Sequence, residues 1–246
     1  MSSAIRRPTG YRIVLPPAWW HIPLDNGRHA SVAALVRHQV RRSPKDAAAL
    51  LRGGLRRELT GVVERAAHAG ACDLYLSLGV ERGIPLAASL LVQRMAVPVA
   101  PGEDVLEFVE AVAGQRDGVP RRLLVGGAEA VAVRRVELLP VRDDLVLAGD
   151  AAPVDLSSVP RPCTTNLDVF VPVPSDEALL LLAFSTPVPP LAEAFVDLFE
   201  AVAQSLTWSY PARRTPAPPG GRAASRAPAM RFDDSGRGRA GQRRWA

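Results

Sequence analysis

Lysine is almost absent from this chain of 246 residues: Lys45 stands alone beside 29 arginines. That bias reflects a G+C-rich coding composition of the kind found in actinobacteria, and it is no sign of selection for phosphate binding. Cysteine is scarce too. Cys72 and Cys163 are too far apart for a metal knuckle and too few for a disulfide framework, so two buried free thiols are expected, with a single bridge as the alternative. Aromatic residues make up only 5% of the chain, leaving a core built mainly from Ala, Val and Leu. No apolar run reaches membrane-spanning length, Ala178–Phe184 being typical. The opening MSSAIRRPTGYRIVLPPAWW has no apolar core before Pro16-Pro17 and does not read as a secretory signal. The expectation is a soluble cytoplasmic protein.

Signatures of chemistry are missing as well. There is no G-x-S-x-G turn for a nucleophilic serine, and no G-x-x-x-x-G-K or G-x-G-x-x-G for phosphates. His21, His29, His38 and His68 fall at no metal-ligating spacing. Asp143, Asp144, Asp150 and Asp155 lack EF-hand spacing and read as a solvated loop. The sequence therefore implies no catalytic residue, no metal and no cofactor.

What is abundant is positive charge at one end. Residues 211–246 hold Arg213, Arg214, Arg222, Arg226, Arg231, Arg237, Arg239, Arg243 and Arg244 against Asp233 and Asp234, a net +7. The remaining 210 residues are net −2. A tail rich in Arg, Pro and Gly buries too little apolar surface to offset chain entropy and is expected to be disordered. Nucleic acid or an anionic surface, if bound at all, is expected to engage the tail only.

The pattern along the body predicts three segments: a flexible N-terminus over 1–9, one α+β domain over 10–210, and the tail. Tyr11–Leu15 alternates as an opening strand, with Trp19, Trp20 and Ile22 continuing past the prolines. A short helix starts from Ser31 as N-cap, and a longer one runs from Pro44 to Ala69, with Gly53-Gly54 marking a kink or a close contact. Asp73–Val80 and Ala87–Val97 form a hairpin. Glu103–Gln115 is a third helix with Val105, Phe108, Val109 and Val112 on its inner face. Arg122–Val125, Glu129–Leu139, Asp168–Val173 and Leu179–Thr186 are strands, and Val141–Pro162 is a long connection. A last helix carries apolar residues 191, 195, 198, 199, 202 and 206 in one stripe. Strands and helices in this order give a mostly antiparallel sheet flanked by helices.

Two surface features follow from spacing. Arg37, Arg41, Arg52 and Arg56 lie at four-residue intervals within their helices, while Glu193, Asp197 and Glu200 line the last helix. Each is an ordinary solvated face or one half of an oppositely charged docking pair. Trp19-Trp20 fills the core or anchors a partner.

The segments Y-R-I-V-L-P-P-A-W-W, D-L-Y-L-S-L-G-V and the closing L-L-L-L-A-F-S-T-P-V-P-P-L-A-E-A-F-V-D-L-F-E-A-V-A-Q-S-L-T-W resemble a group of actinobacterial proteins, some encoded near type VII secretion genes. The opening and the strand-then-helix ending also resemble the Mog1/PsbP-like α+β fold, including the LpqN-type proteins. The resemblance spans residues 10–210 and implies a sheet used for binding an unidentified protein partner, with no active-site residue to transfer. The chain lacks the W-x-G turn and the Y-x-x-x-D/E tail of secretion substrates, so the resemblance implies an accessory role. Two alternatives stay open: nucleic-acid or anionic-surface binding through the tail, and a ligand-binding protein or enzyme in which residues such as His21, Asp73 and Arg94 converge.

Overall fold

The computed structural model describes residues 7–17, 19–41, 45–81, 84–96, 104–114, 118–138, 163–211 and 230–231. Ten strands and four helices follow in order: β1 Gly10–Arg12, β2 Trp19–Pro23, α1 Arg28–Val40, α2 Lys45–His68, β3 Ala71–Glu81, β4 Ile84–Ala96, α3 Val105–Gly114, β5 Val119–Val125, β6 Ala128–Leu138, β7 Cys163–Pro172, β8 Ala178–Thr186, α4 Ala192–Gln204, β9 Thr207–Ser209 and β10 Met230–Arg231. Seven of the strands form an antiparallel sheet in the order β2-β3-β4-β8-β7-β6-β5, and β10-β1-β9 form a second, small sheet. The fold is α+β, as the alternation of strand and helix patterns predicts.

Strand alternation divides the large sheet into two faces. On one, Tyr75, Leu90, Val92, Val169, Leu180, Leu182 and Phe184 meet Phe195, Phe199 and Val202 of α4 together with Tyr11 of β1. On the other, α1 and α2 cover Ile22, Leu74 and Ala71 at the β2 end. Farther along that face α3 covers Val131, Val133 and Leu179. Helices thus lie on both sides, and the small sheet shares the α4 face.

Local chemistry moves several expected boundaries. Tyr11 and Trp19 belong to different sheets, because the chain leaves β1 after Arg12 and enters β2 only beyond Pro16-Pro17, where missing backbone donors stop a ladder from continuing. Helix α1 begins at Arg28, not Ser31. Asp25 Oδ1 accepts the Gly27 N–H at 2.7 Å, and this Asx turn starts the helix one turn early. Helix α2 runs uninterrupted through Gly53-Gly54, and neither glycine makes a close contact: both are exposed, and a Cβ at either would meet nothing within 4 Å. In α3 the buried stripe is Leu106, Val109 and Ala113, which leaves Phe108 39% exposed. Asp104 Oδ1 accepts the Leu106 N–H at 2.8 Å and caps that helix.

At the N-terminal end of the body Arg7 is ion-paired with Asp176 at 2.7 Å, and the Thr9 N–H donates to Ser209 O at 2.8 Å. Within 211–246, Met230–Arg231 pair antiparallel with Gly10 and Tyr11. The other tail residues from 212 on, and the connection across 139–162 with its four aspartates, lie outside the described residues.

Candidate functional site

A polar cluster sits on the α4 face where β1 crosses the β2–β3 end of the sheet. Asp73 falls in the inward register of β3, in line with Tyr75 and Ser77, so it is buried among apolar neighbours and needs donors. It has two. The Tyr11 hydroxyl donates to Asp73 Oδ2, and His21 Nε2 lies 2.7 Å from Asp73 Oδ1. The His21 ring stacks on Tyr75, with centroids 4.7 Å apart, and the hydroxyls of Tyr11 and Tyr75 are hydrogen-bonded to each other. Burial, followed by the charge of Asp73, pushes both tyrosine hydroxyls well above their ordinary range. They stay neutral donors.

Chemically, Asp73 orients the His21 imidazole, and β1 is latched to the large sheet through Tyr11. Among the described residues no hydroxyl or thiol hydrogen-bonds to His21 as a nucleophile would. Cys72 and Cys163 are both free, and burial pushes the Cys72 thiol up, away from the reactive thiolate. Of the three residues considered for convergence, His21 and Asp73 meet, whereas Arg94 turns to Asp176. Tyr11 and Tyr75 were not singled out by spacing, yet the D-x-Y-x-S alternation of β3 is a legible signal of polar groups on an inward face.

Asp176 gathers two arginines, Arg94 and Arg7. Burial alone would raise its carboxyl, but hydrogen bonds from Arg94 and Arg7 outweigh that and hold it below the usual carboxylate range. A folded value below the unfolded one stabilises the fold above about pH 4, and that contribution is lost as pH falls through the folded value. Asp176→Asn should therefore lower the urea midpoint at pH 7, with a penalty that shrinks steadily on acidification. A penalty independent of pH would show that Asp176 acts only through the geometry of its turn.

A shallow recess of about 310 Å³ is lined by residues that include Gly126, Gln204, Trp208 and Tyr210, and none of His21, Asp73, Tyr11 and Tyr75 lines it.

The charged residues singled out by spacing fare unequally. Glu193 is ion-paired with Arg134 of β6, Nη1 to Oε2 2.9 Å, and Glu200 with Arg121 of β5. The acidic side of α4 is thus largely neutralised within the chain, and of the three acids Asp197 alone has no ion-pair partner among the described residues. Arg37, Arg41, Arg52 and Arg56 are all exposed on α1 and α2, and none has a carboxylate partner among the described residues. Trp19 and Trp20 project to opposite faces of β2. Trp19 packs partly against the α4-side core and Trp20 partly against the α1–α2 core, where its ring lies 5.4 Å from that of His38. Each indole is half-buried, combining core filling with an exposed part. Arg213, Arg214, Arg222, Arg226, Arg237, Arg239, Arg243 and Arg244 lie outside the described residues.

No helix among the described residues is long and apolar enough to cross a membrane. No protein-family model matches the chain, and no curated protein matches it. Among solved structures the chain is similar to LpqN of Mycobacterium tuberculosis, described as involved in cell envelope biogenesis, with a TM-score of 0.38 and 10% identity over 84% of this chain and 87% of that one.

Proposed function

We propose that the body is a non-catalytic protein-interaction or accessory module that docks its partner along β2. The observation that carries this reading is the position of Trp19-Trp20: two consecutive, half-buried indoles on a strand at the end of the seven-stranded sheet. An edge strand presents backbone N–H and C=O groups on its outer side, and an extended segment can pair there. Indoles above and below that edge supply apolar contact on both faces of the added segment. Support for a non-catalytic role comes from the His21–Asp73 pair, whose described contacts are those of a latch for β1. The placement beside a type VII-like secretion or envelope system is supported by the sequence resemblance.

The test is affinity capture from an actinobacterial lysate, using full-length protein beside a Trp19→Ala/Trp20→Ala variant shown to be folded by circular dichroism. Loss of a specific partner from the variant is the expected result. Retention of every partner would assign both indoles to the core, and co-purification of a metabolite without any partner would favour ligand binding at the His21–Asp73 cluster.

A further inference from the structure

Charge on this domain is distributed unevenly in a way its net value hides. Around the sheet, Arg94, Arg121, Arg122, Arg134 and Arg135 are each tied to a carboxylate. On the helical pair, Arg37, Arg41, Arg52, Arg56 and Arg57 are exposed and have no such partner among the described residues. Their placement follows from the register of the two helices. Glu64 of α2 meets both Arg28 and His29 of α1 at 3.0 Å, so the start of α1 lies beside the C-terminal part of α2 and the two helices run antiparallel. Counting on from Arg28 and back from Glu64 brings Val40 level with Arg52. At 1.5 Å per residue, Arg37, Arg41, Arg52 and Arg56 lie within about 8 Å of one another along the helix axes.

Apolar side chains lie at the same end. His38 of α1 contacts Trp20, which pairs with Leu76 of β3, so the C-terminal end of α1 sits over that rung. Leu78 and Val80 continue β3 beyond it on the helix-bearing face, and they are 36% and 64% exposed.

We infer that this end of the α1–α2 pair is a peripheral docking surface for an anionic lipid bilayer. Nucleic acid would engage the guanidinium groups and leave Leu78 and Val80 in water. A bilayer satisfies both sets, phosphates taking the arginines and the boundary between headgroups and acyl chains taking the aliphatic side chains. The arginines are carried on two separate helices. A patterned partner would have to match them one by one, whereas fluid headgroups match them by rearranging. The inference does not rest on partner docking along β2, because its charged residues are on the helices.

The experiment is co-sedimentation of the full-length chain with vesicles of phosphatidylcholine containing phosphatidylglycerol, with pure phosphatidylcholine vesicles as reference. Each arginine near the surface contributes about fivefold in affinity, so Arg37→Gln with Arg41→Gln should cost roughly 25-fold and all four replacements more than a hundredfold. These residues are exposed and the variants should fold, which circular dichroism checks. Val80→Asn should weaken vesicle binding while leaving a parallel titration with single-stranded DNA unchanged. A control replacing Arg213, Arg214, Arg222 and Arg226 with Gln separates the tail. Binding that is lost with the tail arginines and unaffected by the helix ones would overturn the inference. So would vesicle binding that does not require the anionic lipid, no vesicle binding at all, or a helix-arginine effect seen with DNA or an acidic peptide and not with vesicles.

Discussion

Phe199→Ala is expected to remove about 3–5 kcal/mol of stability, seen as a large fall in the urea midpoint with little change in slope. Phe199 is fully buried, its ring 4.9 Å from that of Phe184 on β8 and 5.6 Å from that of Phe195 one turn earlier on α4. Its stripe, with Phe195 and Val202, joins α4 to the sheet, so truncation opens a cavity at the centre of that contact. With total stabilities of about 5–15 kcal/mol for ordinary domains, the variant should be marginal. Phe199→Leu keeps most of the volume and should cost about 1.5 kcal/mol or less. A loss below about 1 kcal/mol for Phe199→Ala would mean that α4 is not an integral layer of the fold.

The β5–β6 turn gives a sharper contrast, because its two glycines share a backbone conformation and differ in surroundings. Gly126 and Gly127 have φ of 61° and 84°, the left-handed pair that a two-residue hairpin of this hand requires. A Cβ at Gly126 would lie 2.8 Å from Trp208 Nε1 and 2.9 Å from Leu206 Cδ2, whereas one at Gly127 would meet nothing within 4 Å. Gly127→Ala should cost about 1 kcal/mol for the backbone alone. Gly126→Ala adds a steric clash with Trp208 of β9 and with Leu206 just before it, and should cost about 3 kcal/mol. Thermal unfolding of the two variants side by side would measure the difference. Equal losses would show that β9 does not press on this turn.

Much of the fold was legible because burial enforces period. Leu180, Leu182 and Phe184 alternate on β8 and face α4, and Phe195, Phe199 and Val202 recur at helical spacing. What was not legible depends on tertiary partners. Pattern carries the opening strand from Tyr11 past the prolines to Trp19, and only the pairing of Tyr11 with β9 and of Trp19 with β3 separates it into two strands. Asp73 was visible as a candidate with His21, but its donor Tyr11 arrives from another sheet. Spacing revealed the arginines of α1 and α2 one helix at a time. Their common level needed the contact of Glu64 with Arg28 and His29. The acidic residues of α4 show the opposite case. Their spacing is that of a docking face, yet Glu193 and Glu200 spend their charge on β6 and β5.

The same pairing explains why the body's small net charge misleads about its surface. Arg94, Arg121, Arg122, Arg134 and Arg135 around the sheet are matched in place, whereas Arg37, Arg41, Arg52 and Arg56 of the helical pair have no carboxylate partner among the described residues.

The claim that β2 is the docking edge is tested most directly by a binding titration of the captured partner against wild-type protein and against folded Trp19→Ala/Trp20→Ala. Truncating two anchoring indoles should cost about 2 kcal/mol or more, a loss of roughly thirtyfold in affinity, while Arg37→Gln/Arg41→Gln leaves the value near wild type. Unchanged affinity in the tryptophan variant would contradict the docking of a partner along β2.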